Sequence, residues 1–120
     1  MIDFITNNPN QKIHLDSPKG SVKGFGKTNK TPLPFDYGEY PDILNPADNM
    51  GWDLIIVPSA TKDSELLMPV GHVEYEKDRR DKLGNDKIII APSRQYTEED
   101  QAIIDNFFNS LEGFEPVRWY

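Results

Sequence analysis

Apolar residues along the chain occur in short runs, some of which alternate with polar residues, and such runs are typical of β-strands. Three of them read "WDLIIVP", "ELLMPVGHVEYE" and "KIIIAP". Two shorter segments, at residues 12–15 and 21–25, flank the turn signal "DSPKG". The continuous apolar runs of the first and third segments indicate strands that are buried on both faces or lie in a barrel wall. The pattern therefore predicts five strands.

Residues 26–51 differ from these segments because they are rich in Pro, Gly, Asn and Asp and show no apolar period. The composition predicts a long ordered loop over this range. A loop of that length inside a compact chain usually carries a function.

The segment from Thr97 to Gly113 has the clearest pattern in the chain. Thr97 is a favourable N-cap, the acidic residues that follow it suit the positive end of a helix, and Gly113 fits the C′ stop. One apolar face is formed by Ile103, Ile104, Phe107, Phe108 and Leu111. Several strands followed by one amphipathic helix predict an α+β fold. We expect a small twisted antiparallel five-stranded β-barrel, similar to an OB fold, with a C-terminal amphipathic helix.

The composition limits the size, the compartment and the partners of the protein. Its 120 residues fit a single domain spanning 1–120. The absence of cysteine excludes disulfides and thiolate metal sites. The first residues do not resemble a secretory signal, and no apolar run reaches the length of a membrane span. We therefore expect a cytoplasmic protein that does not bind membranes, and the sequence leaves homo-oligomerisation open.

The charge of the chain is acidic and unevenly distributed. The net charge is -7; residues 1–30 carry five Lys and two Asp, which gives +3, so residues 31–120 carry -10. An acidic body argues against nucleic-acid binding. It favours divalent cations, with the basic N-terminal segment facing an anion that those cations hold. A solvated acidic surface explains the same charge and remains the alternative.

Acidic residues stand at the entrances of two predicted strands. Asp48 and Asp53 lie on either side of Gly51, where a tight turn would aim both carboxylates at one point. Asp86 precedes "KIIIAP", and Asp81 lies in the charged connection before it. Mg²⁺ prefers a few carboxylates together with water and substrate phosphate oxygens. These acids are therefore candidate magnesium ligands, with solvated turn acids as the alternative.

Several motifs follow one another in a specific order. A Tyr-Gly pair in "DYG" is followed by "DNMGWDLIIVP", "LMPVGHVEYE", "DKLGNDKIIIAP" and the helical "NFFNSLEGFEPVRW". Over residues 12–119 this order and spacing resemble those of the soluble, Mg-dependent inorganic pyrophosphatases. That family carries a Tyr-Gly pair, an Asp-x-Asp-Pro-x-Asp motif that runs into an apolar strand, a Pro-Val-Gly strand, and a Gly-x-Asp before a Lys. In this chain one residue fewer separates that last Asp from the Lys.

The resemblance implies roles for individual residues. It implies Mg²⁺, with Mn²⁺ as an alternative, bound by four carboxylates: Asp48, Asp53, Asp81 and Asp86. It places Lys12 and Lys87 on the phosphate and Tyr37 in the active site. Lys23 or Lys27 lies near the position of a family Arg that has no clean counterpart here, and either would bind substrate.

The chain also departs from the family pattern. Met50 stands where the family has its middle Asp, which acts as the general base, and His14 replaces a Glu. A phosphate-binding Tyr-Lys pair falls at Leu111 and Glu112. The resemblance still implies a Mg-dependent phosphohydrolase acting on pyrophosphate or a related phosphoanhydride, because a metal lowers the pKa of its bound water. The alternative is a non-catalytic domain that binds a metal–phosphate ligand or a protein partner, and a third interpretation keeps only the fold.

Overall fold

The computed structural model describes residues 11–22, 31–45, 49–75 and 86–120. Within these ranges the chain forms six strands and one helix. In chain order they are β1 (His14–Ser17), β2 (Asp36–Asn45), β3 (Met50–Ile56), β4 (Leu67–Val73), β5 (Lys87–Pro92), α1 (Glu98–Asn109) and β6 (Arg118–Trp119). The predicted strand "KIIIAP" is confirmed.

The six strands form one mixed sheet in the order β1-β2-β3-β5-β4-β6. β5 lies between β3 and β4; it runs parallel to β3 and antiparallel to β4. The α+β class is confirmed, but the prediction of five antiparallel strands is wrong in the number of strands and in the direction of this pair. In the described part of the chain the edge strands β1 and β6 do not pair with each other, so the sheet is not shown to close into a barrel.

The strand β2 overturns the described part of the loop predicted over residues 26–51; residues 26–30 and 46–48 of that prediction lie outside the described ranges. β2 is ten residues long and pairs with both β1 and β3. Gly38 and Pro41 lower the strand propensity of this segment, which is why its composition resembles that of a loop. Pro41 falls in the irregularity of the ladder between Tyr40 and Leu44, where a missing N–H is tolerated.

The two early strands also differ from the prediction. β1 begins at His14, two residues later than the predicted start. Of the segment at residues 21–25, Val22 forms an isolated bridge with Pro32, and residues 23–25 lie outside the described ranges.

The predicted N-terminus of α1 is confirmed, and hydrogen bonds connect it to the loop that follows β3. Thr97 caps the helix and forms a reciprocal capping box with Asp100. The buried carboxylate of Asp100 also accepts hydrogen bonds from the backbone N–H and the hydroxyl of Ser59, at 2.9 and 2.6 Å. Burial opposes ionisation of Asp100, but the hydrogen bonds from Ser59 and Thr97 outweigh it and lower the pKa of this carboxyl. Asp100 therefore joins the start of α1 to the loop after β3.

The C-terminus of α1 lies earlier than predicted. Ser110 is the C-cap, so the prediction that Gly113 is the C′ residue is wrong. The Ser110 hydroxyl donates to the carbonyl of Phe107, at 2.6 Å, and this bond satisfies a carbonyl of the last turn. α1 has 12 residues, and no helix in the described ranges is both long and apolar enough to cross a membrane.

Both faces of the central strands are buried. The face that packs on α1 forms a cluster that includes Phe35, Tyr37, Ile55, Val73, Ile89, Ile104, Phe107 and Phe108. The opposite face forms a second cluster that includes Tyr40, Trp52, Leu54, Ile56, Ile88 and Ile90. The continuous apolar runs of β3 and β5 are thus explained, since strands buried on both faces do not alternate with polar residues.

Candidate active site

Four ionisable residues form a row across neighbouring strands. His14 on β1 lies opposite Glu39 on β2, Glu39 lies opposite Asp53 on β3, and Asp53 lies opposite Lys87 on β5. Directly paired residues present their side chains on the same face of a sheet. We call these four residues the ionisable row. It places two carboxylates side by side between a histidine and a lysine.

Lys87 and Asp53 form the closest contact of the row. The Nζ atom of Lys87 lies 2.9 Å from Oδ2 of Asp53, and the lysine side chain is 5% exposed while the aspartate side chain is 28% exposed. Removing the anion from a buried ion pair leaves an uncompensated charge, which is strongly destabilising. Asp53 is therefore one counter-ion of a buried lysine, and its side chain remains partly exposed.

Tyr37 completes the cluster from β2. Its ring centroid lies 5.6 Å from Nζ of Lys87, and its hydroxyl is hydrogen-bonded to Asp53. Burial raises the pKa of Tyr37 far above its usual value, and the nearby negative charge of Asp53 raises it further. The phenol therefore stays protonated and acts as a hydrogen-bond donor to the carboxylate. We call Asp53, Lys87 and Tyr37 the central triad.

Gly38 gives a physical reason for the glycine of the Tyr-Gly pair. A Cβ atom at this position would lie 2.5 Å from the carbonyl oxygen of His14 on β1. Any side chain here would push β1 away from β2. The glycine thus allows the close approach that brings His14 into the ionisable row.

Asp86 forms a hydrogen bond with the backbone of Tyr75. It is buried, and its Oδ1 accepts a hydrogen bond of 2.9 Å from the backbone N–H of Tyr75. Asp86 therefore connects the chain after β4 to the start of β5. The predicted role of Asp86 as a metal ligand beside Asp53 stays a prediction.

The predicted metal site is described only in part. Four of the predicted site residues lie outside the described ranges: Lys23, Lys27, Asp48 and Asp81. Within the described ranges, no group of three or more His, Asp or Glu side chains is arranged to hold a metal ion. Asp53 has the ligand chemistry that Mg²⁺ prefers, but its Oδ2 already binds the ammonium group of Lys87. In the described part of the predicted site, the carboxylate of Asp53 suits Mg²⁺ as a single ligand. The complete site with four carboxylate ligands stays a prediction.

Other predicted positions lie apart from the central triad. Lys12 is exposed two residues before β1 and forms no ion pair with a described residue. Met50 is the first residue of β3 and is 62% exposed. Because Met50 and Asp53 are three residues apart in one strand, alternation places their side chains on opposite faces of the sheet. Leu111 is buried in the apolar core and Glu112 is exposed.

Sequence reasoning missed Glu39 as a member of the site. It lies between Asp53 and His14, and its Oε1 atom is 3.5 Å from Nδ1 of His14. A usable signal was present, since Glu39 follows Tyr37 by two residues and such residues share one face of a strand. The composition of this segment predicts a loop, and strand alternation does not apply to a loop.

No protein-family model matches this chain, and no curated protein matches it. A functional proposal for this chain therefore depends on the geometry of the ionisable row and of the central triad, together with the resemblance to inorganic pyrophosphatases.

Proposed function

We propose that this protein is a Mg²⁺-dependent phosphohydrolase that acts on pyrophosphate or a related phosphoanhydride. The contact between the three residues of the central triad is the observation that carries the proposal. Asp53, Lys87 and Tyr37 come from three strands and meet on one face of the sheet. The likeness to inorganic pyrophosphatases assigns these residues to the metal, the phosphate and the active site, respectively.

The charges of the site suit a phosphoanhydride. Lys87 is buried, so water screens its charge weakly and a phosphate oxygen would be attracted to it more strongly than to a surface lysine. Glu39 and Asp53 lie directly opposite each other, and like charges in that arrangement repel unless a cation lies between them. The site therefore offers a cation position beside an anion position, as a metal–phosphate complex requires.

The protein residues would hold and orient the substrate. Lys87 would bind a phosphate oxygen, Tyr37 would keep Asp53 in place through its hydroxyl, and Lys12, Lys23 and Lys27 would supply further positive charge from the basic N-terminal segment. Mg²⁺, or Mn²⁺ in its place, would be held by Asp48, Asp53, Asp81 and Asp86. When bound, the ion would offset phosphate charge and activate water. The proposal includes closure of the sheet into an OB-like barrel and a cytoplasmic location.

A second function is favoured by position 50. Met50 cannot accept a proton, and its place in β3 puts it on the opposite face from Asp53. The family's phosphate-binding Tyr-Lys pair is also replaced, and one of its positions, Leu111, lies in the apolar core. A non-catalytic domain that binds a metal–phosphate ligand or a protein partner would keep the central triad and lose these other groups.

A phosphate-release assay with pyrophosphate tests the proposed activity. We expect wild-type protein to release phosphate in the presence of Mg²⁺ and to stop when the ion is chelated. Asp53→Asn keeps the size of the side chain but removes its charge, so we expect it to lower the rate by about 10²-fold or more, as for the loss of a catalytic group. Asp63→Asn is the matched control, because Asp63 is 80% exposed and pairs with Lys62 at the surface.

Two results would count against hydrolysis. If wild-type protein releases no more phosphate than a protein-free blank with either Mg²⁺ or Mn²⁺, the enzymatic proposal is wrong. If Asp53→Asn, purified in the same way, is as active as wild type, the activity does not come from this site. Binding of a non-hydrolysable pyrophosphate analogue without any release of phosphate would support the second function.

A further inference from the structure

Two polar atoms on the face of the sheet opposite α1 have no hydrogen-bond partner within the described part of the chain. They are the hydroxyl of Tyr40 and Nε1 of Trp52, and both atoms are buried. Burying a polar group without a partner is costly, so almost all such groups in folded proteins are hydrogen-bonded to protein or to a bound molecule. We infer that Tyr40 and Trp52 form an internal binding site for a neutral molecule with an acceptor oxygen, such as water or a small alcohol.

The sheet holds the two side chains next to each other. Tyr40 on β2 lies directly opposite Trp52 on β3, so both side chains leave the same face and their Cβ atoms are about 4.5–5.5 Å apart. Both residues belong to the apolar cluster on that face, whereas Tyr37 of the central triad belongs to the cluster that packs on α1. The site is therefore separate from the central triad, and the inference does not depend on the proposed function.

An irregularity of the sheet lies directly beside this pair. The next pair of the ladder after Tyr40 and Trp52 is formed by Leu44 and Gly51, so residues 41–43 of β2 have no opposite residue on β3. Bulges of this kind bend a strand and redirect its side chains, and they are frequent at sheet edges and next to active sites. The regular spacing of β2 and β3 is thus interrupted at the place where the two buried donors lie.

The position of the pair along β3 keeps it close to solvent. Met50 lies two residues before Trp52, so alternation places the two side chains on the same face. Met50 begins β3 and is 62% exposed, while Trp52 is 9% exposed and Tyr40 is 1% exposed. The exposed fraction therefore falls steeply over two residues of the strand. A small molecule has a short route from the exposed end of β3 to the buried donors.

The two donors determine which kind of molecule the site takes. The indole N–H of Trp52 can only donate a hydrogen bond, and the hydroxyl of Tyr40 can donate or accept one. Burial raises the pKa of Tyr40 to about 12, so its hydroxyl stays protonated at neutral pH. Neither side chain supplies a charge that would balance an ion, and an uncompensated ion in an apolar cluster is costly. The oxygen of a neutral molecule can accept hydrogen bonds from both donors.

The stability of Tyr40→Phe tests the inference, because the sign of its change depends on whether the hydroxyl is hydrogen-bonded. Removing a hydroxyl that donates to a bound oxygen loses a hydrogen bond, whereas removing a buried hydroxyl without an acceptor relieves a desolvation penalty. We expect the urea midpoint of Tyr40→Phe to fall by about 0.5 M relative to wild type. Tyr96→Phe is the matched control, since Tyr96 is only partly buried, and we expect its midpoint to equal that of wild type. A midpoint of Tyr40→Phe that equals or exceeds that of wild type would overturn the inference.

Crystal structures of the wild-type protein, before and after refolding from urea in a buffer without organic additives, identify the bound molecule. We expect one oxygen at about 2.7–3.2 Å from both Oη of Tyr40 and Nε1 of Trp52. An isolated oxygen in both crystals identifies water, and a larger molecule found only before refolding identifies an organic ligand retained from the cell. If the two donors bind a protein atom instead, or if no oxygen lies within reach of both in either crystal, the inference is wrong, whatever the phosphate-release assay shows.

Discussion

Replacing Asp53 with alanine is expected to lower the free energy of unfolding by about 3 kcal/mol, at the lower end of the range for breaking a buried ion pair. The reason is the lysine that remains. Lys87 is almost completely buried, and without Asp53 its ammonium group loses the carboxylate at 2.9 Å. We expect the loss of unfolding free energy to be at the lower end of that range because Asp53 itself is partly exposed. Water therefore already stabilises part of the ion pair.

The two partners should differ in their effects. Lys87→Met leaves a carboxylate that water can reach, so we expect a loss of about 1 kcal/mol, close to that of a single hydrogen bond. The double variant Asp53→Ala/Lys87→Met should be more stable than Asp53→Ala alone, because no buried charge remains. Asp63→Ala removes one partner of an exposed pair and should change stability by less than about 0.5 kcal/mol.

Urea unfolding followed by circular dichroism measures all four variants. The order of stability is the sharpest feature of this prediction, since it depends on which partner is buried. If Asp53→Ala and Lys87→Met are equally stable, or if the double variant is less stable than either single variant, the lysine is not held by Asp53 as the structure describes.

Replacing Asp100 with alanine is also expected to lower the free energy of unfolding, by about 2 kcal/mol, because it removes the charged acceptor of part-buried hydrogen bonds from Ser59 and Thr97. Asp100 is 2% exposed and accepts hydrogen bonds from Ser59 and from the backbone of Thr97. Its loss would open the capping box and release the start of α1 from the loop that follows β3.

The lowered pKa of Asp100 adds a pH dependence. A carboxyl whose pKa is lower in the folded state stabilises the protein above its unfolded pKa, about 3.9, and that stabilisation is lost as the pH falls through the folded value. We therefore expect the difference in stability between wild type and Asp100→Asn to be full at pH 7 and to shrink below about pH 4. A difference that stays constant from pH 7 to pH 2 in urea unfolding would show that this carboxylate is not stabilised by ionisation.

The elements with strong local signals could be predicted from sequence. The run "KIIIAP" has no competing interpretation, and Thr97 followed by acidic residues defines the start of α1. β2 could not be predicted by the same rules, because Gly38 and Pro41 have low strand propensity and are accommodated only by the approach of β1 and the irregular ladder beside β3. The approach of β1 at Gly38 and the irregular ladder at Pro41 exist only in the assembled sheet.

Three residues of the candidate site could be predicted, but their contacts could not. The resemblance to inorganic pyrophosphatases assigns Asp53, Lys87 and Tyr37 to one site, and in the structure these three residues lie together. The ion pair depends on the parallel pairing of β3 with β5, which no local pattern specifies.

A crystal structure with Mg²⁺ and a non-hydrolysable pyrophosphate analogue tests the central claim most directly. We expect carboxylate oxygens of Asp48, Asp53 and Asp86 at about 2.0–2.1 Å from one ion, the distance that Mg²⁺ requires. We also expect Nζ of Lys87 within hydrogen-bonding distance of a phosphate oxygen. A structure in which Asp53 still binds only Lys87 and Tyr37, with the ion and the analogue elsewhere or absent, would contradict the assignment of this site.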